Sequence, residues 1–290
     1  MRSSPSQGQR GGSCLVTIQV NPYTPGIGAE VSNVDLAALS DDSFATIKQA
    51  FLDHLVLFFR DQDLSVDEHI AFGRRFGELH VHPAANDYRK QHNLPPEILV
   101  IHADENTKRT AGDSWHSDVS CDAEPPLASI LKLETVPPCG GDTLFANMYA
   151  AYEALSTPMK QLVDGLSATH DGGPNYRDRA ARAGVDVSHK TYPCNSHPVV
   201  RTHPETGRKA LFVNSAFTTR INDVPADESK AILDFLFQHI SKPMFQCRFR
   251  WRPNSIAMWD NRCTLHHAMW DYYPQVRTGR RVTVKGDRPF

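Results

Sequence analysis

The stretch FQCRFRWRPNSIAMWDNRCTLHHAMWDYYPQVRTGRRVTVKG, residues 245–286, decides the fold. It contains three runs rich in Val, Ile, Phe and Trp, at 245–252, 255–260 and 280–286, separated by Pro, Asn and Gly. Short runs of β-branched and aromatic residues bounded by turn formers read as strands. Toward the N-terminus, HPVVRTH (197–203), KALFVN (209–214), LASILKLETV (127–136), EILVIHA (97–103), VLFFR (56–60) and CLVTIQV (14–20) read the same way.

Helical spacing is rarer. Phe44, Ile47, Ala50, Phe51 and Leu55 recur on one face of 40–55, behind cap candidates Ser40, Asp41 and Asp42. Residues 65–77 form a second amphipathic pattern that Gly77 ends, and 148–166 a third with a break near Pro158. A fourth helix is expected over 225–240. Many strands without a regular β-α alternation exclude a doubly wound sheet. They predict a mainly β protein with added helices (α+β), built on a jelly-roll, or double-stranded β-helix, core. No linker divides 14–290, which reads as one domain. Residues 1–13 read as a disordered tail, with a transit peptide as the alternative. Two long polar segments, 83–113 and 171–196, read as loops around a site and as lid candidates.

Composition narrows the function. The chain has 290 residues and a net charge of −2, so no global basic field draws it to nucleic acid or to an anionic membrane. No run reaches the roughly 20 apolar residues that span a bilayer. The six cysteines (14, 121, 139, 194, 247 and 263) are dispersed, without a C-x-x-C pair. That pattern suits a reducing compartment, and the cytoplasm is the expected location.

The chemistry turns on GDSWHSDVSCD, residues 112–122, where His116 and Asp118 stand two apart. On an extended backbone i and i+2 share a face. One histidine, one nearby carboxylate and a second histidine from elsewhere make a facial triad that leaves positions on Fe(II) open. The spacing alone does not decide. His102 and Asp104 form a second H-x-D, and either pair reads equally as the polar rim of a turn. Two adjacent histidines, His266 and His267, offer the third ligand, and Arg277, Arg280 and Arg281 follow them. A planar guanidinium suits a carboxylate co-substrate. His170, His189, His197 and His203 read as structural or solvated.

Ordered blocks add a resemblance. GIGAEVSNVDL, RFGELHVHP, WHSDVS, GGDTLFANMYAAYEALS, HPVVRTHPETGRKALFVNSAFTTRI, MWDNRCTLHHA and GDRPF run through nearly the whole chain. Together they resemble the taurine dioxygenase family of Fe(II)- and 2-oxoglutarate-dependent oxygenases. The resemblance implies His116, Asp118 and His266 as the iron ligands and catalytic centre, choosing His266 over His267. It implies Thr143 and Arg277 for 2-oxoglutarate, with Arg281 near both co-substrate and substrate. It implies His82, Val119, Phe217 and Arg281 for the substrate, with O2 as the second co-substrate. The residues Trp259, Asp260 and Asn261 read either as a group that orients the distal histidine through hydrogen bonds or as a surface turn.

Two positions depart from the family pattern. Ala85 stands where a tyrosine is expected, and Gly112 where an asparagine is expected. Both remove polar reach toward a small substrate. The expected substrate is a small anion, first taurine or a related alkanesulfonate, released as sulfite and an aldehyde. The alternatives are an alkyl sulfate, an aryloxyalkanoate or an N-acyl amino acid, or a jelly roll that binds a metal or anion without turnover. A metal-assisted hydrolase lacks a signalled general base. Family habit implies a homo-oligomer.

Overall fold

The computed structural model describes residues 17–82, 93–108, 110, 112–182 and 184–290. The tail at 1–13 and residues 83–92, 109 and 111 of the first polar segment lie outside these residues. The described chain is mostly β with helices added. Its main sheet takes β1 (Gln19–Pro22), β2 (Ala29–Ser32), β3 (Val56–Phe59), β4 (Leu99–Ala103), β5 (Ala128–Thr135), β13 (Ser255–Asp260) and β15 (Arg277–Val284). Their order is β1-β2-β3-β13-β5-β15-β4, antiparallel throughout except for the parallel β2/β3 pair. A smaller sheet joins β6 (Thr143–Asn147) to β12 (Gln246–Phe249) and β14 (Thr264–Ala268) in the order β12-β6-β14.

Strand alternation explains the layers. Val56 and Phe58 of β3, Leu131 and Leu133 of β5, and Ala257 and Trp259 of β13 join Phe145, Phe249 and Leu265 of the smaller sheet in one apolar cluster. Their sequence neighbours Leu57, Phe59, Ile130, Ile256 and Met258 face the other way. There they meet Ile47, Ala50 and Phe51 of α1 (Asp41–His54) and Ile70 and Phe72 of α2 (Val66–Arg74). The central strands β3 and β13 are therefore buried on both faces, which is why they are almost continuously apolar. Phe58 stacks on Phe249 across the layers at 4.0 Å and 4°. Truncating it to Ala would cost about 3–5 kcal/mol.

Caps set the helix ends. Ser40 Oγ accepts from the Ser43 N–H, and Ser65 with Glu68 closes a capping box on α2. The 148–166 pattern resolves into α3 (Met148–Glu153) and α4 (Thr157–Val163), because Ser156 caps the second and Pro158 fits its first turn. α6 (Ala226–Ile240) packs Leu233, Leu236 and Ile240 into the inter-sheet cluster.

Several expectations need correction. The polar segment 171–196 is not all loop: it holds α5 (Gly172–Arg182). A helix with so few apolar residues leaves no periodic signal. HPVVRTH is split between β8 (Cys194–Pro198) and β9 (Val200–Thr202), which pair with different partners. The strands β2, β6, β7 (Ser167–Asp171), β11 (Thr218–Ile221) and β14 were not foreseen, being short and mixed in polarity. The first strand begins at Gln19; residues 14–16 lie outside the described set. Among the described residues no helix is long and apolar enough to cross a membrane.

Candidate metal centre and its cavity

Main-chain pairing builds the centre. His116 N–H donates to His266 O at 3.0 Å, and His266 N–H returns the bond to His116 O at 2.8 Å. This two-way bridge docks the H-x-D turn onto β14 and brings the imidazole rings within 4.0 Å of each other. Asp118 Oδ1 lies 4.0 Å from His116 Nε2, and Asp118 Oδ2 lies 3.9 Å from His266 Nε2. One donor atom from each of the three side chains lies within 4.8 Å of the other two.

The protonation states follow from the surroundings. His116 Nδ1 sits 2.8 Å from the Ser114 carbonyl, which can only accept, so Nδ1 carries the proton and Nε2 offers its lone pair. Burial lowers the pKa of His116 and holds that of His266 well below its ordinary value, so both rings are neutral. Burial alone would raise the Asp118 carboxyl. The Arg281 guanidinium, with a hydrogen bond from Ser129, outweighs it and holds Asp118 well below the usual carboxylate range. Two neutral imidazoles and one carboxylate fit a first-row divalent cation with open coordination positions.

The carboxylate is held from both sides. Arg281 Nη1 donates to Asp118 Oδ1, and Ser129 Oγ donates to Asp118 Oδ2 at 2.7 Å. Asn261 Nδ2 supports Ser129 Oγ at 3.1 Å. Asn261 Oδ1 accepts from the Asp118 N–H at 3.2 Å and from Trp259 Nε1–H at 3.0 Å. The WDN motif thus orients Asp118, not the distal histidine, through its asparagine. His266 is held by packing, with Trp259 at 4.6 Å and Phe145 at 6.2 Å between ring centroids.

Asp260 belongs to a second cluster with His203 and Cys263. His203 Nδ1 accepts from the Glu205 and Thr206 N–H groups, so Nε2 carries the proton and donates to Asp260 at 3.1 Å. Arg262 pairs with the same carboxylate at 2.7 Å. These lone pairs are spent, so the cluster pins the β13–β14 turn and does not hold a metal.

A cavity of about 1000 Å³ opens over the triad. Thr143, Arg277 and Arg281 lie in its lining, as do Val119, Phe217 and His82. All six positions expected to serve the co-substrate or substrate therefore meet around one space. Arg277 is 3 % exposed; its Nε donates to Gly141 O at 3.2 Å, and its Nη2 is buried without a hydrogen-bond partner among the described residues. Thr143 Oγ1 accepts from Trp251 Nε1–H at 3.0 Å. A bulge between Thr278 and Gly279 lies between the two arginines. A Cβ at Gly279 would stand 2.2 Å from Lys132 O, so no side chain fits there.

Gly112 also lines the cavity, at φ +84°, with room for a Cβ only 3.0 Å from the His116 ring. Ala85 lies outside the described residues. His102 stays apart from the centre: its Nδ1 is 2.9 Å from Thr278 Oγ1 and its Nε2 is 3.6 Å from Asp104. Sequence reasoning did not find Ser129, Ser114 or Tyr176. Ser129 left a trace, as the polar member of the inward set Ser129, Leu131 and Leu133. Tyr176, on α5, packs with Val119, Phe217 and Cys121 along the cavity wall.

Two imidazoles and a carboxylate, brought together beside buried arginines between two β-layers, define the class: a mononuclear non-haem metal oxygenase. The family model described as taurine catabolism dioxygenase TauD, TfdA family matches residues 19–283, and the chain belongs to that family. It is a 2-oxoglutarate-dependent dioxygenase. It is 30% identical over 281 residues to an alpha-ketoglutarate-dependent sulfonate dioxygenase of Saccharomyces cerevisiae, covering 94% of this chain and 68% of that protein. It is 33% identical over 281 residues to an alpha-ketoglutarate-dependent sulfate ester dioxygenase of Pseudomonas putida, covering 94% and 91%. Among solved structures, a taurine dioxygenase from Burkholderia xenovorans superposes with a TM-score of 0.79 at 37% identity, covering 94% and 92% of the two chains.

Proposed function

We propose that this dioxygenase oxidises a small organosulfur anion, in the first place taurine or a related alkanesulfonate. The observation that carries the reading is the meeting, in one cavity, of the His116–Asp118–His266 donor set with two buried arginines, each bearing a guanidinium nitrogen without a hydrogen-bond partner among the described residues. In this reading His116, Asp118 and His266 hold Fe(II), and Thr143 and Arg277 take the distal carboxylate of 2-oxoglutarate. Arg281 and His82 meet the anionic head of the substrate, while Val119 and Phe217 form its apolar wall. An unpaired buried anion is costly, and a guanidinium removes that cost. Fe(II), 2-oxoglutarate and O2 together supply oxidative decarboxylation to succinate and CO2, with the second oxygen atom going to a substrate C–H bond.

A carbon that bears both hydroxyl and sulfonate collapses to an aldehyde and sulfite. The chain's own groups select which C–H bond lies over the triad and keep water out. A second reading keeps the chemistry and changes the anion to a sulfate ester or an aryloxyalkanoate. Gly112 favours it, because a cavity wall without the asparagine amide accepts a longer or differently oriented molecule. The same reading takes residues 14–290 as one domain with a double-stranded β-helix core, placed in the cytoplasm as a homo-oligomer. Dispersed cysteines, unpaired among the described residues, support the compartment.

The test is an aerobic assay with Fe(II), ascorbate and 2-oxoglutarate, following succinate and sulfite together. Taurine-dependent release of both is the expected result. Succinate formed with a sulfate ester or aryloxyalkanoate, and not with any sulfonate, overturns the first reading in favour of the second.

A further inference from the structure

Val119 follows the ligand Asp118 and carries a φ of +46°, in the left-handed region that a β-branched side chain avoids. Such a conformation persists only where the surroundings over-determine it. Here a closed ring of buried hydrogen bonds adjoins it. His170 Nδ1 lies 3.0 Å from Ser120 Oγ, and His170 Nε2 lies 3.3 Å from Thr218 Oγ1. Thr218 Oγ1 accepts from the Asn214 N–H at 2.9 Å, and Asn214 Nδ2 donates to Ser120 Oγ at 2.9 Å. Asn214 Oδ1 then accepts from the Phe217 N–H at 3.0 Å, which fixes the amide's orientation.

The four members are 0 to 6 % exposed. Burial and the neighbouring His197 push the His170 imidazole down to about 3, so the ring is neutral, with one donor and one acceptor for its two hydroxyl partners. Ser120 is the residue after Val119, and Thr218 is the residue after Phe217. The ring therefore spans the two walls of the cavity that pack together. None of its members offers an atom to the metal centre.

We propose that His170 is a positioning residue for substrate: through Ser120 and Thr218 it clamps Val119 and Phe217 in register over the metal centre. The proposal rests on the function proposed above, because the register matters only if a substrate is seated between those walls. A fully satisfied buried network rigidifies what it joins. The metal ligands are held separately, by the Ser129–Asn261 network and the His116–His266 bridge. Loosening the ring should therefore spoil substrate seating and spare the centre.

The experiment compares wild type with His170→Phe, the milder Ser120→Ala, and His170→Asn, whose amide nitrogen can still reach Ser120. Co(II) affinity, the KM for 2-oxoglutarate and the KM for the sulfonate are measured on each. The expected result is an approximately tenfold rise in substrate KM, and more succinate formed per sulfite released, in His170→Phe and Ser120→Ala. Co(II) affinity and the 2-oxoglutarate KM move less than about twofold, and His170→Asn restores part of the loss. Equal weakening of Co(II), 2-oxoglutarate and sulfonate binding, or an unchanged substrate KM, overturns the proposal.

A substrate-free arm separates its failure from that of the functional reading. Val119→Gly, which releases the backbone constraint, is combined with Ser120→Ala. Coupled melting shifts, smaller together than their sum, support the clamp even if no sulfonate is oxidised, and additive shifts count against it.

Discussion

Ser129 Oγ donates to Asp118 Oδ2 at 2.7 Å while Arg281 holds the other carboxylate oxygen, so the plane of the carboxylate is fixed before any cation arrives. Groups that orient a ligand in this way typically contribute 10- to 100-fold in metal affinity. Ser129→Ala should therefore weaken Mn(II) binding by about that factor, read by titration of the metal-free protein. Asn261→Ala should weaken it further, because it frees both Ser129 and the Asp118 main chain. Unchanged affinity in both variants would mean that the carboxylate needs no support.

The two H-x-D motifs should separate cleanly. His116→Ala and Asp118→Ala remove a ligand each, so iron-dependent succinate formation should fall below detection. His102 meets Thr278 and Asp104 at the end of β4, so His102→Ala should leave turnover within about twofold, as exposed polar contacts usually do. Equal loss at His102 would assign the chemistry to the wrong motif.

Arg277 is the group to vary for the co-substrate. Its guanidinium is buried, and burial lowers its pKa, yet Nη2 lacks a partner among the described residues. A carboxylate of the co-substrate would supply that partner. Truncating one member of a buried charge pair costs about 2–5 kcal/mol, so Arg277→Ala should raise the 2-oxoglutarate KM at least about 30-fold. The sulfonate KM should change far less. An unchanged 2-oxoglutarate KM would reject the assignment.

Acid sensitivity follows from His69. Its Nε2 meets the Ile130 carbonyl at 3.1 Å, and burial pushes its imidazole down to about 3 despite that bond. The unfolded chain takes up the proton near pH 6.5, and the folded one does not until about 3. The unfolded state therefore binds more protons across that window. Stability from this group is fully present above pH 6.5 and is lost as the pH falls toward 3, at about 1.4 kcal/mol per pH step. His170 adds a second contribution of the same sign. Melting curves of His69→Gln between pH 7 and 4 should be flatter than those of wild type; parallel curves would contradict the assignment.

The comparison of sequence with structure divides along physical lines. Strands buried on both faces, such as 56–59 and 255–260, were legible because 56–59 and 256–259 are unbroken apolar runs. The caps at Ser40 and Ser65 were legible because the chemistry of a helix start is local. β6 and β14 were not, since each mixes core residues with site residues: Thr143 beside Phe145, His266 beside Leu265. α5 was missed because, among its described side chains, Tyr176 is the one large buried group, and a single contact makes no period. At the site, His116, Asp118 and His266 were reached through motif resemblance, and the fold then brought them together. The role of Asn261 was misassigned, because a hydrogen bond to Asp118, far off in the chain, leaves no mark in local spacing.

The His116–His266 bridge has a consequence for biosynthesis. Its partners lie 150 residues apart, and His266 is aligned by pairing of β14 with β6. A ribosome adds roughly 5–20 residues each second, so His116 emerges many seconds before its counterpart exists. No N-terminal fragment that stops short of His266 can present the complete donor set, however well its own helices and strands have formed. Iron capture is thereby deferred until β14 has docked, and a loaded centre reports that synthesis has passed His266 and that its strand has paired.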